Sequence, residues 1–324
     1  MKRVLAALAA AVLVAGALVV RNHFIDHPDK TADRIIKGSP AMIGCAPELS
    51  DVCTRLAADG VDVTADPVDL DDAAKAVKPA GGQPGIDGWL TYDGSGAVVN
   101  FDAPQAYGGS TVVASEQIGI LIPSDRGAAL TAACGTLSWK CLAKNAGHAW
   151  PTVAPSRGLQ GTVKIGIGDP RSALAAQLLG PLAVGSADVA DPSPDEVRTD
   201  RLQPIIEASN TGGSVRDQLN QLVTIGPAAF SLVVAPAPLA RLAAATSQGR
   251  SKDLTVLYPS PRATVTVELT SADRGVPLDR VVEMLSKDGP AKALEAAGWA
   301  AGRLKAAQRV DPGFLYAVRK KVVR

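Results

Sequence analysis

The chain has 324 residues and a mass of 33.2 kDa, enough for roughly two folded units of about 150 residues and too long for one small domain. Hydrophobic types make up 47% and charged types 20%, which excludes a disordered or acidic solvating polymer. A net charge of +1 excludes the basic balance of a nucleic-acid binder. Arg309, Arg319, Lys320, Lys321 and Arg324 against Asp311 put +4 into the last sixteen residues, leaving the body at −3.

After Lys2 and Arg3 an unbroken apolar run extends from Val4 to Val20, residues 4–20; as a helix it would be roughly 25 Å long. The charges before it favour a cytoplasmic amino terminus and export of everything after Arg21. Two readings of residues 1–30 stay open. One is a signal anchor, favoured because Leu18, Val19 and Val20 continue the run. The other is a secretory signal cleaved after Ala17, with Ala15 as the second small residue of the cleavage site. Met42-Ile43-Gly44-Cys45 looks like a lipoprotein box, but it lies well past the apolar run and follows charged residues, so it is coincidental.

Four cysteines form two local pairs, Cys45 with Cys53 and Cys134 with Cys141. In an exported chain an even count points to disulfides, and of three possible connectivities the local one is expected. Eight residues along one helix span roughly 12 Å, too far to bridge. Cys45 must therefore precede the helix that Pro47 opens, with the chain folded back onto Cys53. Neither pair has the short spacing of a zinc knuckle, so no metal site is expected.

From Ala32 onward, short β-rich runs alternate with Ala/Leu-rich helical stretches, the pattern of an α/β fold with a substantially parallel sheet. A strand is expected at 34–37 or 41–44, then a helix over 47–58 ended by Gly60. A strand at 61–64 and a helix at 69–77 follow, the latter opened by acidic residues. Residues 86–92 read as a buried strand, with Trp89 and Leu90 facing core on opposite sides, and 93–96 as a turn. Residues 111–123 are extended and cross from one domain to another. Helices are expected at 128–133 and 139–143, a strand at 163–167, and a helix at 171–179 for which Asp169 and Ser172 compete as cap. Further on come a helix at 214–224, strands at 231–235, 254–258 and 264–269, and helices at 278–285 and 291–297, the last ended by Gly298.

Enzymatic signatures are mostly missing. His23 and His27 lie beside the apolar run, so His148 alone could serve a triad, and a hydrolase using it is a minor reading. No Gly-x-Ser-x-Gly elbow, phosphate loop or complete dinucleotide fingerprint occurs; Gly166-Ile167-Gly168 fails at the third glycine, where Arg171 stands. Asp93-Gly94-Ser95-Gly96-Ala97 begins like a metal-binding loop, but Ala97 removes the second hydroxyl, leaving a plain turn. What remains are polar corners at strand ends, where helix-start amides can hold an anion or polar group. They are Gly38-Ser39-Pro40, Ser115-Glu116 and Asp169-Pro170-Arg171-Ser172. Each has a bland alternative: a turn hydroxyl at Ser39, a cross-strand partner at Ser115, a helix cap at Ser172, and a surface pair of Arg171 with Asp169.

The order of several segments resembles a family. They are Gly88-Trp89-Leu90-Thr91-Tyr92-Asp93, Val113-Ala114-Ser115-Glu116-Gln117-Ile118-Gly119-Ile120, Cys134-Gly135-Thr136-Leu137-Ser138-Trp139-Lys140-Cys141, Ile165-Gly166-Ile167-Gly168-Asp169-Pro170, Gly226-Pro227-Ala228-Ala229-Phe230 with Ser231-Leu232-Val233-Val234, Tyr258-Pro259, and Ala293-Leu294-Glu295-Ala296-Ala297-Gly298-Trp299. Over about residues 33–299 this order is similar to the extracellular solute-binding proteins of type 2 periplasmic architecture, in an actinobacterial-type form. The resemblance implies a two-lobed α/β fold with two crossover strands: lobe I at 33–117 plus 264–324, lobe II at 118–263. It implies capture of a small polar solute or oxyanion between the lobes, without chemistry or cofactor, and a membrane permease or envelope protein as partner. Ser39, Ser115 and Ser172 match the family's oxyanion-holding hydroxyls, with Glu116, Asp169 and Arg171 beside them. Pro40 and Cys45 blur the usual layout around Ser39, and the absence of a lipobox departs from ordinary transporter-linked members. A different class of function is an envelope interaction module that has lost ligand binding and reaches a partner or anionic lipid through the basic tail at 319–324.

Overall fold

The structure, a computed structural model, describes residues 42–58, 60–78, 85–185, 199–209, 213–247, 253–272, 289–301 and 311–322. The apolar run 4–20, the strand expected at 34–37, Ser39 and the helix expected at 278–285 lie outside the described residues.

In chain order, β1 (Ile43–Cys45) leads through a 3-10 turn (Pro47–Leu49) into α1 (Ser50–Ala58), and α2 (Ala73–Val77) precedes β2 (Gly88–Tyr92) and α3 (Ser95–Asp102). The long β3 (Tyr107–Pro123) is followed by α4 (Ser124–Cys134), α5 (Trp139–Asn145), α6 (Trp150–Val153), β4 (Ile165–Gly166), α7 (Ala173–Val184), α8 (Thr199–Ser209) and α9 (Val215–Thr224). Then come β5 (Leu232–Pro236), α10 (Ala237–Thr246), β6 (Leu254–Leu257), β7 (Thr264–Ala272), α11 (Gly289–Ala296), β8 (Ala300–Ala301) and α12 (Pro312–Val322).

Eight strands are hydrogen-bonded along the path β1-β2-β7-β3-β5-β4, with β6 and β8 also on β3. Only β1 with β2 and β4 with β5 are parallel; every other pairing is antiparallel. The α/β class holds, but the sheet is mixed rather than substantially parallel. The cause is β3, whose first part pairs with β7 from Tyr107↔Ala272 to Gln117↔Thr264. From the next residue it turns to β5 (Ile118↔Pro236) and β6 (Ile120↔Leu257). One outgoing strand met by returning strands makes those ladders antiparallel.

Several expected elements change. The strand at 61–64 reduces to one bridge, Val63 to Ile43, because Ile43 alone meets it, through Ile43 N to Asp62 O (2.8 Å) and Thr64 N to Ile43 O (2.9 Å). The helix at 69–77 shrinks to α2 while Asp69 turns its carboxylate to the Leu70 amide (2.7 Å). The strand at 163–167 pairs only over β4. At 93–96 the turn launches α3, with Gly94 in the left-handed region at φ 79°. Ser172 caps α7 through Ala175 N (3.1 Å), and Asp169 does not. α6, α8, α10, α12 and β8 carry no expected counterpart.

The core holds Trp89, Trp139 and Trp150 fully buried. Their indole N–H groups donate to Val68 O (3.0 Å), Pro261 O (2.7 Å) and Ser231 Oγ (3.2 Å). The disulfides are Cys45–Cys53 and Cys134–Cys141, as expected. The basic carboxyl-terminal segment folds down as α12, which buries Phe314, Leu315 and Val318 and packs on α3 and α7. Arg319 pairs with Asp71 and Asp102, and Lys320 with Asp102 (3.3 Å). These two residues are not a free tail, contrary to the interaction-module reading. No helix among the described residues is long and apolar enough to cross a membrane.

Candidate functional site

The expected residues fall into two groups. In the corner after β4, Gly168 has φ +82°, and a Cβ there would lie 2.8 Å from Val215 N, so no other residue fits without displacing the start of α9. Its N–H donates to Gln218 Oε1 (2.9 Å), which fixes the corner against α9. Asp169 and Arg171 satisfy each other: Oδ1 accepts Arg171 N and Nε at 3.0 Å each, and Oδ2 accepts a terminal guanidinium nitrogen at 2.7 Å. Those bonds hold the Asp169 carboxyl below its ordinary range. The Ser172 hydroxyl is engaged in capping α7.

The second group sits on β3. Ser115 is buried, opposite Thr266 and Ala300. Glu116 accepts from Gln117 N (2.8 Å) and pairs with Arg241 on α10 (3.1 Å). His148 is exposed, and no cluster of three or more His, Cys, Asp or Glu able to hold a metal occurs among the described residues.

The residues with unmet hydrogen-bonding capacity are different ones. A cavity of about 420 Å³ is lined by Glu48, Asp51 and Arg55 on one side, Arg216, Leu239 and Arg241 on another, and Trp299 from beyond α11. Glu48 sits in the 3-10 turn directly after β1, inside the loop that Cys45–Cys53 closes, and is only 2% exposed. Its Oε2 has no hydrogen-bond partner. Burial, opposed by a bond from its own backbone N–H, pushes this carboxyl up to about 7; Asp69 and Asp169 push the same way and Arg216 the other. Tyr92, the last residue of β2, is fully buried, with its ring 6.4 Å from that of Trp299 and its hydroxyl unpartnered. Burial first, and then Glu48, push the phenol well up. Arg216 on α9 pairs with Asp51 (2.7 Å) and donates to Glu48 O (3.2 Å), leaving Nε unpartnered.

Asp69 belongs to the same neighbourhood. Burial raises its carboxyl, against a hydrogen bond from the Leu70 N–H (2.7 Å). Gln177 on α7 donates to Asp93 O (2.5 Å).

Sequence reasoning missed Glu48, Asp69 and Arg216 as site residues. The available signal for Glu48 was an acid inside a nine-residue disulfide loop just after the first strand; Arg216 gave none.

Neither protein-family descriptions nor curated proteins match this sequence. Solved structures do match in fold. A ferric binding protein from Campylobacter jejuni aligns at TM-score 0.56 and 11% identity, over 87% of this chain and 97% of its own. The periplasmic binding protein AfuA from Actinobacillus pleuropneumoniae, with exogenous fructose-6-phosphate bound, aligns at TM-score 0.52 and 13% identity, over 87% of this chain and 94% of its own. The mixed α/β architecture described above is therefore the fold of these periplasmic binding proteins.

Proposed function

We propose that the protein is an extracytoplasmic, non-catalytic solute-binding protein that captures a small polar solute or oxyanion between two lobes, 33–117 with 264–324 and 118–263. The observation that carries this reading is the pair of buried, unpartnered polar atoms on residues lining one cavity: Glu48 Oε2 and Arg216 Nε. Unmet buried polar groups cost free energy, and a ligand that meets them recovers it. The lobe division is supported by the switch in β3 pairing between Gln117 and Ile118 and by the start of β7 at Thr264. Glu48 and Tyr92 then belong to lobe I and Arg216 to lobe II, so a ligand touching both favours the closed arrangement. Asp169 acts on Glu48 through its charge, while Glu116 reaches the rim of the site through Arg241.

That one structural neighbour is a ferric binding protein and another holds fructose-6-phosphate adds support for solute capture as such. The apolar run 4–20 supports delivery across a membrane, as an anchor or a cleaved signal, and a membrane permease is the proposed partner. Isothermal titration against a panel of oxyanions, sugars and amino acids, with small-angle scattering for compaction, tests the reading. Saturable binding by any one of them is expected; no binding and no compaction would remove it.

A further inference from the structure

We propose that this cleft, read as above as a solute site, takes its ligand through a protonated amino group seated on Glu48, and not through an oxyanion. The argument starts from unmet capacity. Glu48 lines the cavity, and its Oε2 is buried and unpartnered. An ammonium group brings three N–H donors; an oxyanion brings acceptors only, and an ionised carboxylate has no donor to offer it.

The charged groups around Glu48 favour the same choice. On α1 stand Asp51 and Arg55, and before α2 Asp69; the corner after β4 adds Asp169 and Arg171, α9 adds Arg216, and Arg241 of α10 lies on the far wall with Glu116 of β3 behind it. Three of the four cations are already in ion pairs, Arg216 with Asp51, Arg241 with Glu116 and Arg171 with Asp169, Arg216 keeping only its Nε–H without a partner. At the start of α7 the Ala175 N–H is taken by Ser172 Oγ. An oxyanion would have to settle beside Glu48, Asp69 and Asp169. An ammonium group instead neutralises the charge that burial penalises on Glu48.

Seating a cation ionises Glu48, so binding releases a proton below about pH 7 and weakens in acid. Titration calorimetry of the folded protein with ethanolamine, putrescine, glycine and L-lysine, against sulfate, phosphate and glucose, at pH 8 and pH 5.5, tests this. Expected is saturable binding of at least one amine, weakened about thirtyfold at pH 5.5 by protonation of a carboxyl that ionises at about 7. Glu48→Gln should bind that amine at least about tenfold more weakly at pH 8 and lose the pH dependence. Proton release by the unaltered protein, measured in buffers of different ionisation enthalpy at pH 6, needs no variant. Binding of sulfate, phosphate or glucose but of no amine would overturn the amine assignment and leave solute capture standing; binding of nothing would overturn both. An amine that binds Glu48→Gln with undiminished affinity would also overturn it.

Discussion

Glu48 gives the sharpest test of the site's electrostatics without any ligand. In the unfolded chain its carboxyl ionises near the ordinary value of 4.5, whereas in the fold it holds its proton up to about 7. Between those values the folded state binds more protons than the unfolded state, so stability falls as pH rises. The penalty is absent below about pH 4.5 and complete above about pH 7. Its size follows from the gap between the two values at 1.36 kcal/mol per unit, roughly 3 kcal/mol for this almost fully buried group. Asp69, also raised by burial, adds a contribution of the same sign. Asp169, held low by Arg171, acts in the opposite sense and only in acid, where its stabilisation is lost as pH falls through its depressed value.

Replacing Glu48 with Gln removes the titrating group while preserving its shape. The variant should be more stable than the parent at pH 8 and about equal to it at pH 5. With an unfolding entropy of roughly 2.1 cal/mol/K per residue, 3 kcal/mol over this chain corresponds to about 4 °C in Tm. Thermal unfolding followed by circular dichroism at both pH values gives the comparison. Profiles that run parallel across this range would refute the reasoning, because Glu48 would then ionise as it does in water.

Further outcomes concern the frame around the site. Converting both Cys45 and Cys53 to Ser should cost about 2–3 kcal/mol in urea unfolding, the loop-closure value for so short a loop, and weaken solute binding because Glu48 rides on that loop. Ser231→Ala should cost about 2–4 kcal/mol by the same measurement: its hydroxyl accepts from Trp150 (3.2 Å), Arg126 (3.2 Å) and Lys164 N (3.1 Å) and donates to Thr162 O (2.9 Å), so the loss strands buried donors. Arg216→Ala should change stability by less than about 1 kcal/mol, since its partner Asp51 is half exposed, yet raise the radius of gyration of the unliganded protein in small-angle scattering. Truncation before α12 should lower Tm steeply, because it exposes the surface that Phe314, Leu315 and Val318 cover; an unchanged Tm would restore the free-tail reading.

The frame was legible where the determinants are local. The Cys pairs follow from spacing and compartment, the helix at 214–224 from its amphipathic run, and the buried β2 from an apolar run bounded by turns. Gly298 ends its helix at φ +87° as its residue type suggests. Elements whose signals conflict were hidden. α10 begins amid Pro236 and Pro238, which read as a break although one precedes the helix and the other occupies its first turn. β3 looked shorter because its amino-terminal part contains Gly108, Gly109 and Ser110, poor strand formers held in place by β7. The site was the least legible part. Glu48 shares its cavity with Arg216, distant in sequence, and Trp299, more distant still, and no periodicity encodes proximity of that range.

The same distance dependence bears on what could hold the two proposed lobes together without a ligand. Polar contacts between them include the Arg216–Asp51 and Arg241–Glu116 ion pairs, Arg216 on Glu48 O and Gln177 on Asp93 O, and α12 packs on α7. The ion pairs are partly exposed and worth at most about 1 kcal/mol each, and each hydrogen bond contributes about the same net amount. Under the proposed function, affinity falls to Glu48, whose Oε2 these contacts leave unmet, and the open–closed balance to Arg216. Variants at Arg216 should then shift ligand affinity mainly through the fraction of molecules already closed, leaving the rank order of solutes unchanged.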